Sequence, residues 1–253
     1  FLYALDVSPT NPGSGELPTG FDVLWKKSNT NYAELGQTWS EPKPATIKVA
    51  NTGSVATDYK RVIIFGGGYD PDFDDVYPRD LANANQGRDI FILDAVDGSL
   101  IWQASAHMDN ANNNFAQEYP IPSDVSVIDL NGDGYADTLY VGDTGGNLWR
   151  VKIDDIQTSA GWSVNKLASV GSDSKFLYAP DVVQLENGNL AILIGSGNRE
   201  DPRNSLAGPV GHVDKFYMFQ DSGGNTINML AENTMVNVTN GAEVDLSTAD
   251  GWY

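Results

Sequence analysis

Phe91-Ile92-Leu93-Asp94 is one copy of a short strand motif that occurs four times along this chain of 253 residues. Each copy has an aromatic residue, a variable residue and an apolar residue, often followed by aspartate. The other copies are Tyr3-Ala4-Leu5-Asp6, Trp149-Arg150-Val151-Lys152 and Tyr217-Met218-Phe219-Gln220. Internal repetition of one strand type indicates a repeat architecture.

The sequence around each motif repeats as well. A polar turn and a further strand follow each copy, at 21–27, 99–105, 161–170 and 225–232. Three copies are preceded by an apolar strand that ends in glycine, at 62–66, 138–142 and 190–195. Before each of those lies a strand entered near a proline, at 44–49, 122–130 and 180–185. Proline suits the first residue of a strand, because its missing N–H costs no ladder bond there.

Repeated four-stranded antiparallel units are typical of a β-propeller. We therefore predict an all-β fold, a modified β-propeller built from four-stranded antiparallel blades and present here as a partial set of blades. A β-sandwich is the competing fold, but it does not require the same four-strand pattern three times. The predicted organisation is a single propeller domain over 1–253, truncated at both ends, with blade units at 1–30, 39–105, 120–170 and 177–232 and a tail at 233–253.

Composition narrows the classes of function. The formal net charge is −19 and there is no cysteine. A surface of this sign repels nucleic acid and anionic membrane, so neither is predicted as a partner. The lack of cysteine excludes disulfides, thiolate metal sites and a cysteine nucleophile. No apolar run reaches the length of a membrane helix, and we predict no membrane insertion.

The most specific motif is the stretch Asp129-Leu130-Asn131-Gly132-Asp133-Gly134-Tyr135-Ala136-Asp137, which we call the acidic loop. Its predicted metal ligands are Asp129, Asn131, Asp133, the carbonyl of Tyr135, and Asp137. Hard oxygen donors at this spacing suit Ca²⁺, which takes about six to eight oxygens in a loose geometry. Gly134 falls where a calcium loop needs its sharp turn.

Two features distinguish the acidic loop from an EF-hand. The twelfth position, which carries a bidentate glutamate in an EF-hand, is Tyr140. The flanking stretches 125–128 and 138–141 are short and β-rich, so the loop is predicted to join two strands. An acidic turn that holds no metal is the simpler alternative.

Other candidate sites are weaker. The acidic stretch Asp70–Asp80 is a separate segment that matches no cation-binding pattern, and solvated carboxylates are the simpler interpretation of it. His107 and His212 are the only histidines, and each stands alone in a polar loop, which does not supply the three or four ligands of a zinc site. No nucleophile elbow or phosphate-binding fingerprint is present, and we predict that the chain is not an enzyme.

Seven stretches, in order along the chain, carry a resemblance to a known family. They are 1–7, 35–42, 62–69, 89–94, the acidic loop 129–137, Gly142-Asp143-Thr144-Gly145-Gly146-Asn147-Leu148-Trp149-Arg150, and Gly195-Ser196-Gly197-Asn198-Arg199-Glu200-Asp201-Pro202. Together they resemble the C-terminal propeller of the type IV pilus tip proteins called PilC or PilY, over nearly the whole chain.

The resemblance implies a large secreted bacterial protein at the pilus tip, on the cell surface and with possible outer-membrane association. In that family a modified propeller binds calcium in a loop of this kind, and the implied ligands are the five named above. It also implies minor pilins as partners, calcium-dependent control of pilus extension and retraction, twitching motility, and adhesion to a host-cell or surface receptor through an N-terminal region. Because the chain opens in mid-strand, we expect it to be a piece of a longer protein.

Two alternatives from other classes stay open at this point. A quinoprotein-like dehydrogenase has similar aromatic strands, but its calcium sits at the central funnel with a quinone cofactor. An integrin-like propeller has similar calcium loops for ligand binding, but in several blades. Here the corresponding hairpin of the last unit, at 184–189, is short and lacks the acidic ladder.

Overall fold

The computed structural model describes residues 1–8, 22–49, 58–75, 79–107, 114–153, 162–199, 213–224, 229–245 and 247–253. Its strands are β1 (Leu2–Asp6), β2 (Asp22–Lys27), β3 (Lys43–Lys48), β4 (Tyr59–Gly66), β5 (Ile90–Asp94), β6 (Leu100–Gln103), β7 (Ser126–Ile128), β8 (Thr138–Gly142), β9 (Asn147–Lys152), β10 (Ser163–Ser169), β11 (Asp181–Gln184), β12 (Leu190–Gly195), β13 (Phe216–Asp221), β14 (Leu230–Ala231) and β15 (Gly251–Trp252). Its helical elements include the short helix α1 (Pro71–Asp74) and 3₁₀ turns at Leu81–Asn83, Ala104–His107 and Glu232–Thr234.

The strands form one sheet after another along the chain. Strands β1 and β2 pair as a half blade, and blade 2 has the order β3-β4-β5-β6. Blade 3 has the order β14-β10-β9-β8-β7, and blade 4 the order β11-β12-β13-β15. Within each sheet, strands that follow one another directly in the chain pair antiparallel. The predicted all-β fold of consecutive antiparallel blades is confirmed.

The last two strands differ from the prediction. The stretch 225–232 is predicted to complete blade 4, but its described part contains β14, which pairs in parallel with β10 of blade 3. The outer strand of blade 4 is instead β15, paired antiparallel with β13. A two-residue strand carries almost no periodicity, so tertiary packing decides its partner and the local sequence does not.

The hydrophobic core lies between neighbouring blades. The largest cluster joins blades 2 and 3 and contains Trp102, Trp149 and Trp162. The rings of Trp102 and Trp162, one from each blade, lie 6.2 Å apart. Because the middle strands are covered on both faces, β8 is buried along its whole length, as its continuous apolar sequence predicts. Truncating Trp102 to alanine would cost about 3–5 kcal/mol.

A buried ion pair links blades 3 and 4. The Arg150 guanidinium donates to both carboxylate oxygens of Asp221, at 2.6 and 2.8 Å, and the Tyr140 hydroxyl donates to the same carboxylate at 2.7 Å. Arg150 is 1% exposed and Asp221 is 4% exposed. Burial and the adjacent Asp221 carboxylate raise the pKa of the Tyr140 hydroxyl. Removing one partner of such a buried pair typically costs about 3–5 kcal/mol, since the remaining charge stays buried.

Strand direction places the connections of each blade at two opposite ends. The connection from the first to the second strand, such as 129–137 between β7 and β8, lies at what we call the acidic-loop end. The connection from the second to the third strand, such as 143–146 between β8 and β9, lies at the far end. The chain therefore presents two surfaces with different loops.

Candidate metal centre

The acidic loop joins β7 to β8, as predicted. Ile128 and Thr138 are the pair that closes it, and the Asp137 N–H donates to the Ile128 carbonyl at 2.9 Å. The Asp137 carbonyl in turn accepts the Ile153 N–H at 2.7 Å, just beyond the end of β9. The closing residue is thus fixed to the strands of blade 3, while residues 129–134 are exposed.

The Asp129 carboxylate organises the first half of the loop. Its Oδ1 accepts the N–H groups of Gly132 at 2.7 Å and Asp133 at 3.2 Å, and its Oδ2 accepts that of Gly134 at 2.7 Å. Both glycines have positive φ, 75° at Gly132 and 90° at Gly134, which residues with a Cβ rarely adopt. The turn glycines and the first predicted ligand therefore act as one local unit.

The other predicted side-chain ligands also point into the loop. Asp137 Oδ2 accepts the N–H groups of Leu130 at 2.7 Å and Asn131 at 3.4 Å. Asn131 Oδ1 accepts the Asp133 N–H at 2.8 Å, and Asp133 Oδ1 accepts the Tyr135 N–H at 3.0 Å. Six consecutive N–H groups, from 130 to 135, thus donate to oxygens of the four side chains predicted as ligands.

The second half of the loop touches the neighbouring blade. The Tyr135 ring stacks on the Tyr59 ring of blade 2, with centroids 4.1 Å apart and planes 20° from parallel. The Ala136 N–H donates to the Thr46 carbonyl of β3 at 2.9 Å. Partial burial against Tyr59, with Asp133 nearby, raises the pKa of the Tyr135 hydroxyl. No sequence signal pointed to Tyr59, because the contact joins residues of two blades.

The chemistry of the donors fits a hard cation, but the side chains are not gathered around a common point. Within the described residues, no group of three or more His, Asp or Glu side chains is arranged so that it could hold a metal ion. A carboxylate has about four lone-pair sites, so Asp129 can accept loop N–H groups and still offer an oxygen to a cation. Residues 129–134 are exposed, so a cation in solution can reach their side chains.

The acidic stretch Asp70–Asp80 has a structural role in the described residues, with 76–78 outside them. Asp70 is fully buried, caps α1 through the Asp72 N–H at 3.2 Å, and accepts the Asn85 N–H at 2.8 Å. The Asp74 carboxylate lies 3.5 Å from Arg79 and 3.9 Å from Lys175. The expectation of solvated carboxylates is therefore wrong for Asp70 and Asp74. The Asp-Pro pair at 70–71, an N-cap followed by proline at the first helical position, is the signal that could have shown it.

Two further aspartates at the far end are buried, and sequence reasoning missed them. Burial raises the pKa of Asp89 to about 6, although hydrogen bonds from Ser105 and the Ile90 N–H oppose the shift. Burial likewise raises the pKa of Asp143 to about 6, against hydrogen bonds from Asn147, Trp149 and Gly145. A lone aspartate before or after a strand carries no sequence signal of burial.

The structure gives the position of one of the two histidines. His107 ends the 3₁₀ turn Ala104–His107, and His212 lies outside the described residues. No helix in the described part of the chain is both long and apolar enough to cross a membrane.

Comparison with known proteins gives a consistent result. No protein-family model matches the chain. It is 30% identical over 160 residues to a Type IV pilus biogenesis factor PilY1 homolog of Xylella fastidiosa (strain Temecula1 / ATCC 700964), a match that covers 60% of this chain and 9% of that protein. It is 27% identical over 149 residues to the Type IV pilus biogenesis factor PilY1 of Pseudomonas aeruginosa (strain UCBPP-PA14), covering 59% of this chain and 10% of the relative. The matches therefore span at most a tenth of the length of these curated relatives.

A solved structure shows the same fold. The crystal structure of the Pseudomonas aeruginosa PilY1 C-terminal domain superposes with a TM-score of 0.63 and 19% identity, over 93% of this chain and 47% of that one. The predicted β-propeller with a partial set of blades is confirmed by this likeness and by the sheet order. The chain is thus similar in sequence to PilY1-type type IV pilus biogenesis factors, and its fold is that of the PilY1 C-terminal β-propeller domain.

Proposed function

We propose that this chain is a calcium-binding, non-enzymatic β-propeller of a type IV pilus tip factor. The observation that carries the calcium assignment is the acidic loop, where six consecutive N–H groups donate to oxygens of Asp129, Asn131, Asp133 and Asp137. The relatives that are named as pilus biogenesis factors support the pilus assignment.

The proposed ligands are the four side chains and the Tyr135 carbonyl. A bound calcium ion would supply a positive charge that offsets the repulsion among three neighbouring carboxylates. The hydrogen bonds already curve the backbone around the side-chain oxygens, so ligand binding requires side-chain rotation more than a new backbone path. Ordering the exposed residues 129–134 would fix one corner of blade 3.

The acidic-loop corner of blade 3 is the surface that we propose contacts other proteins of the pilus. An ordered acidic loop would dock minor pilins or keep the tip competent for assembly, so that calcium biases the balance between extension and retraction. We place the protein outside the bacterial cell, at the pilus tip, and assign surface adhesion and twitching motility to the protein of which this propeller is a part.

The test is a calorimetric calcium titration of wild type, Asp133→Ala and Asp97→Ala. Asp97 is the matched control, since it is also an exposed aspartate whose carboxylate accepts one N–H, that of Ser99 at 2.8 Å. We expect one site in wild type, a Kd at least tenfold weaker in Asp133→Ala, and no change in Asp97→Ala. Equal affinity in wild type and Asp133→Ala would show that the ligand assignment is wrong.

The link to the pilus needs a cellular measurement. Asp133→Ala, placed in the full-length protein, should reduce surface pili and twitching in calcium-containing medium, and Asp97→Ala should not. Normal piliation in the Asp133→Ala strain, with calcium binding abolished in the purified protein, would separate the calcium site from pilus assembly.

A further inference from the structure

The acidic loop has two halves that are held in different ways. Residues 129–134 are exposed and are held by the side chains of the loop itself. Tyr135 and Ala136 are held by blade 2, through the Tyr59 ring and the Thr46 carbonyl. The Tyr135 carbonyl is a proposed ligand, so one donor of the site depends on a contact with the neighbouring blade.

We propose that Tyr59 is a positioning residue for the acidic loop, which makes the calcium affinity of blade 3 depend on how blade 2 is placed against it. This inference rests on the proposed function. Tyr59 touches no proposed ligand oxygen and acts by fixing the ring of Tyr135, and hence the backbone on either side of it.

The positions of the two tyrosines explain how Tyr59 affects the backbone of the acidic loop. Tyr59 is the first residue of β4 and pairs with Lys48 at the end of β3, so its ring stands at the acidic-loop end of blade 2. Both tyrosine rings are half-buried, and their parallel stack restricts the Tyr135 side chain. Two residues later, Asp137 is fixed to blade 3 by its bonds with Ile128 and Ile153. The segment 135–137 therefore bridges the two blades.

Preorganisation gives the expected size of the effect. A donor that is already in place does not have to be ordered when the ligand binds, so its loss weakens binding without removing a ligand. Aromatic pairs of this kind correspond to about a three- to tenfold change in an equilibrium constant. We expect Tyr59→Ala to raise the calcium Kd by about that factor and to leave the number of sites at one.

The chain offers a matched control at the far end. Trp39 stacks on Tyr69 with centroids 4.1 Å apart and planes 3° from parallel, and Trp39 is 40% exposed. Trp39→Ala removes a comparable stack and should lower the melting temperature in chelator, but it should leave the calcium Kd unchanged. Both Tyr59→Ala and Trp39→Ala can lower stability, so the melting temperature does not distinguish them. The calcium Kd does, because only Tyr59→Ala is expected to raise it.

The experiment is a calorimetric calcium titration of the purified 253-residue chain as wild type, Tyr59→Ala, Tyr59→Phe, Tyr135→Ala, Tyr59→Ala/Tyr135→Ala and Trp39→Ala. Tyr59→Phe keeps the stacked ring and should bind like wild type. Tyr135→Ala keeps the carbonyl donor, and the double variant should bind no more weakly than the weaker single one, because both changes remove the same contact.

The outcomes separate this inference from the proposed function. Wild-type affinity in Tyr59→Ala, or the same loss in Trp39→Ala, overturns the positioning role while the calcium site stands. A wild-type chain that binds no calcium overturns both. A three- to tenfold weakening in Tyr59→Ala, with rescue by Tyr59→Phe and non-additivity with Tyr135→Ala, supports the inference.

Discussion

The acidic loop and the corresponding turn of blade 4 make the same strand connection, but different groups accept the hydrogen bonds of their N–H groups. In blade 3, residues 129–137 connect the closing pair Ile128 and Thr138. In blade 4, residues 185–189, here called the short turn, connect the closing pair Gln184 and Leu190. Both connect the first strand of a blade to the second.

The short turn is held mainly by its own backbone. The Leu185 N–H donates to the Asn189 carbonyl at 2.8 Å, and the Gly188 N–H donates to the Leu185 carbonyl at 2.9 Å. Two side chains assist, since Asn187 accepts the Asn189 N–H at 3.0 Å and the Asn189 side-chain amide donates to Gln220 at 3.2 Å. In the acidic loop, by contrast, the N–H groups from 130 to 135 donate to side-chain oxygens, most of them charged. A blade can make this connection without carboxylates that accept backbone N–H groups, so the acidic loop is longer and more charged than the fold requires.

The largest effect on stability is expected from the substitution of Asp129, in the acidic loop. Asp129→Ala removes a proposed ligand and the acceptor of three N–H groups. At calcium 100-fold above the wild-type Kd, the lost stabilisation is about 2.7 kcal/mol. About 1 kcal/mol more comes from the lost hydrogen bonds, because water can replace them at an exposed site. Thermal melts in calcium and in chelator measure the two parts, and an unchanged calcium-dependent shift would contradict the assignment.

A second effect is expected from the buried carboxyl group of Asp89, which lies away from both the acidic loop and the short turn. Because the folded-state pKa of Asp89 is raised to about 6, the native protein holds a proton that the unfolded chain has released at pH 4–6. The free energy of unfolding should therefore fall as pH rises from about 4 to 6, by roughly 1–3 kcal/mol for this group, and then level off. Denaturant unfolding in chelator across this range measures the slope.

Asp89→Asn provides the control for this slope. Asp89 Oδ1 accepts the N–H groups of Ile90 at 2.8 Å and Ser105 at 3.1 Å, and its other oxygen accepts the Ser105 hydroxyl. Asparagine can keep both backbone bonds and donate to the hydroxyl instead. The variant should therefore fold and show a shallower slope, with the remainder from Asp143; an unaltered slope would exclude Asp89 as a source. The acidic loop and the short turn are best compared above pH 7, where the contribution of Asp89 to the free energy of unfolding no longer changes with pH.

The smallest effect is expected in the short turn. Asn187→Ala removes one exposed hydrogen bond and leaves the backbone bonds of the turn in place, so the free energy of unfolding should fall by about 0.5 kcal/mol. The change should be the same in calcium and in chelator, as measured by denaturant unfolding. A calcium-dependent difference would mean that the short turn also responds to the ion.

Much of the fold follows from the sequence because inner blade strands have strong local signals. The strands 138–142 and 190–195 match β8 and β12, since continuous apolar runs that end in glycine leave little ambiguity. The first strand of blade 3 is shorter than the predicted 122–130, because Asp129 and Leu130 belong to the acidic loop. The parallel strand β14 could not be predicted, as two residues contain no pattern that selects a partner.

The place of the acidic loop between two strands was predictable from the sequence, but its surroundings were not, and its metal ligands stay a prediction. Alternation of oxygen-bearing residues with glycine from 129 to 137 identifies the loop, and the strands on each side confirm its place. The contact with Tyr59 and the burial of Asp70 and Asp74 depend on which blades become neighbours. Such long-range contacts leave no local pattern, so only the folded chain reveals them.

Residue-resolved hydrogen exchange with and without calcium tests the central claim most directly. The claim is that the acidic loop is ordered by calcium and the short turn is ordered by its own backbone. The account predicts that saturating calcium slows exchange of the N–H groups of 130–135 by at least about tenfold and leaves those of 185–189 unchanged. Equal exchange in the acidic loop with and without calcium, or equal slowing in both corners, would contradict it.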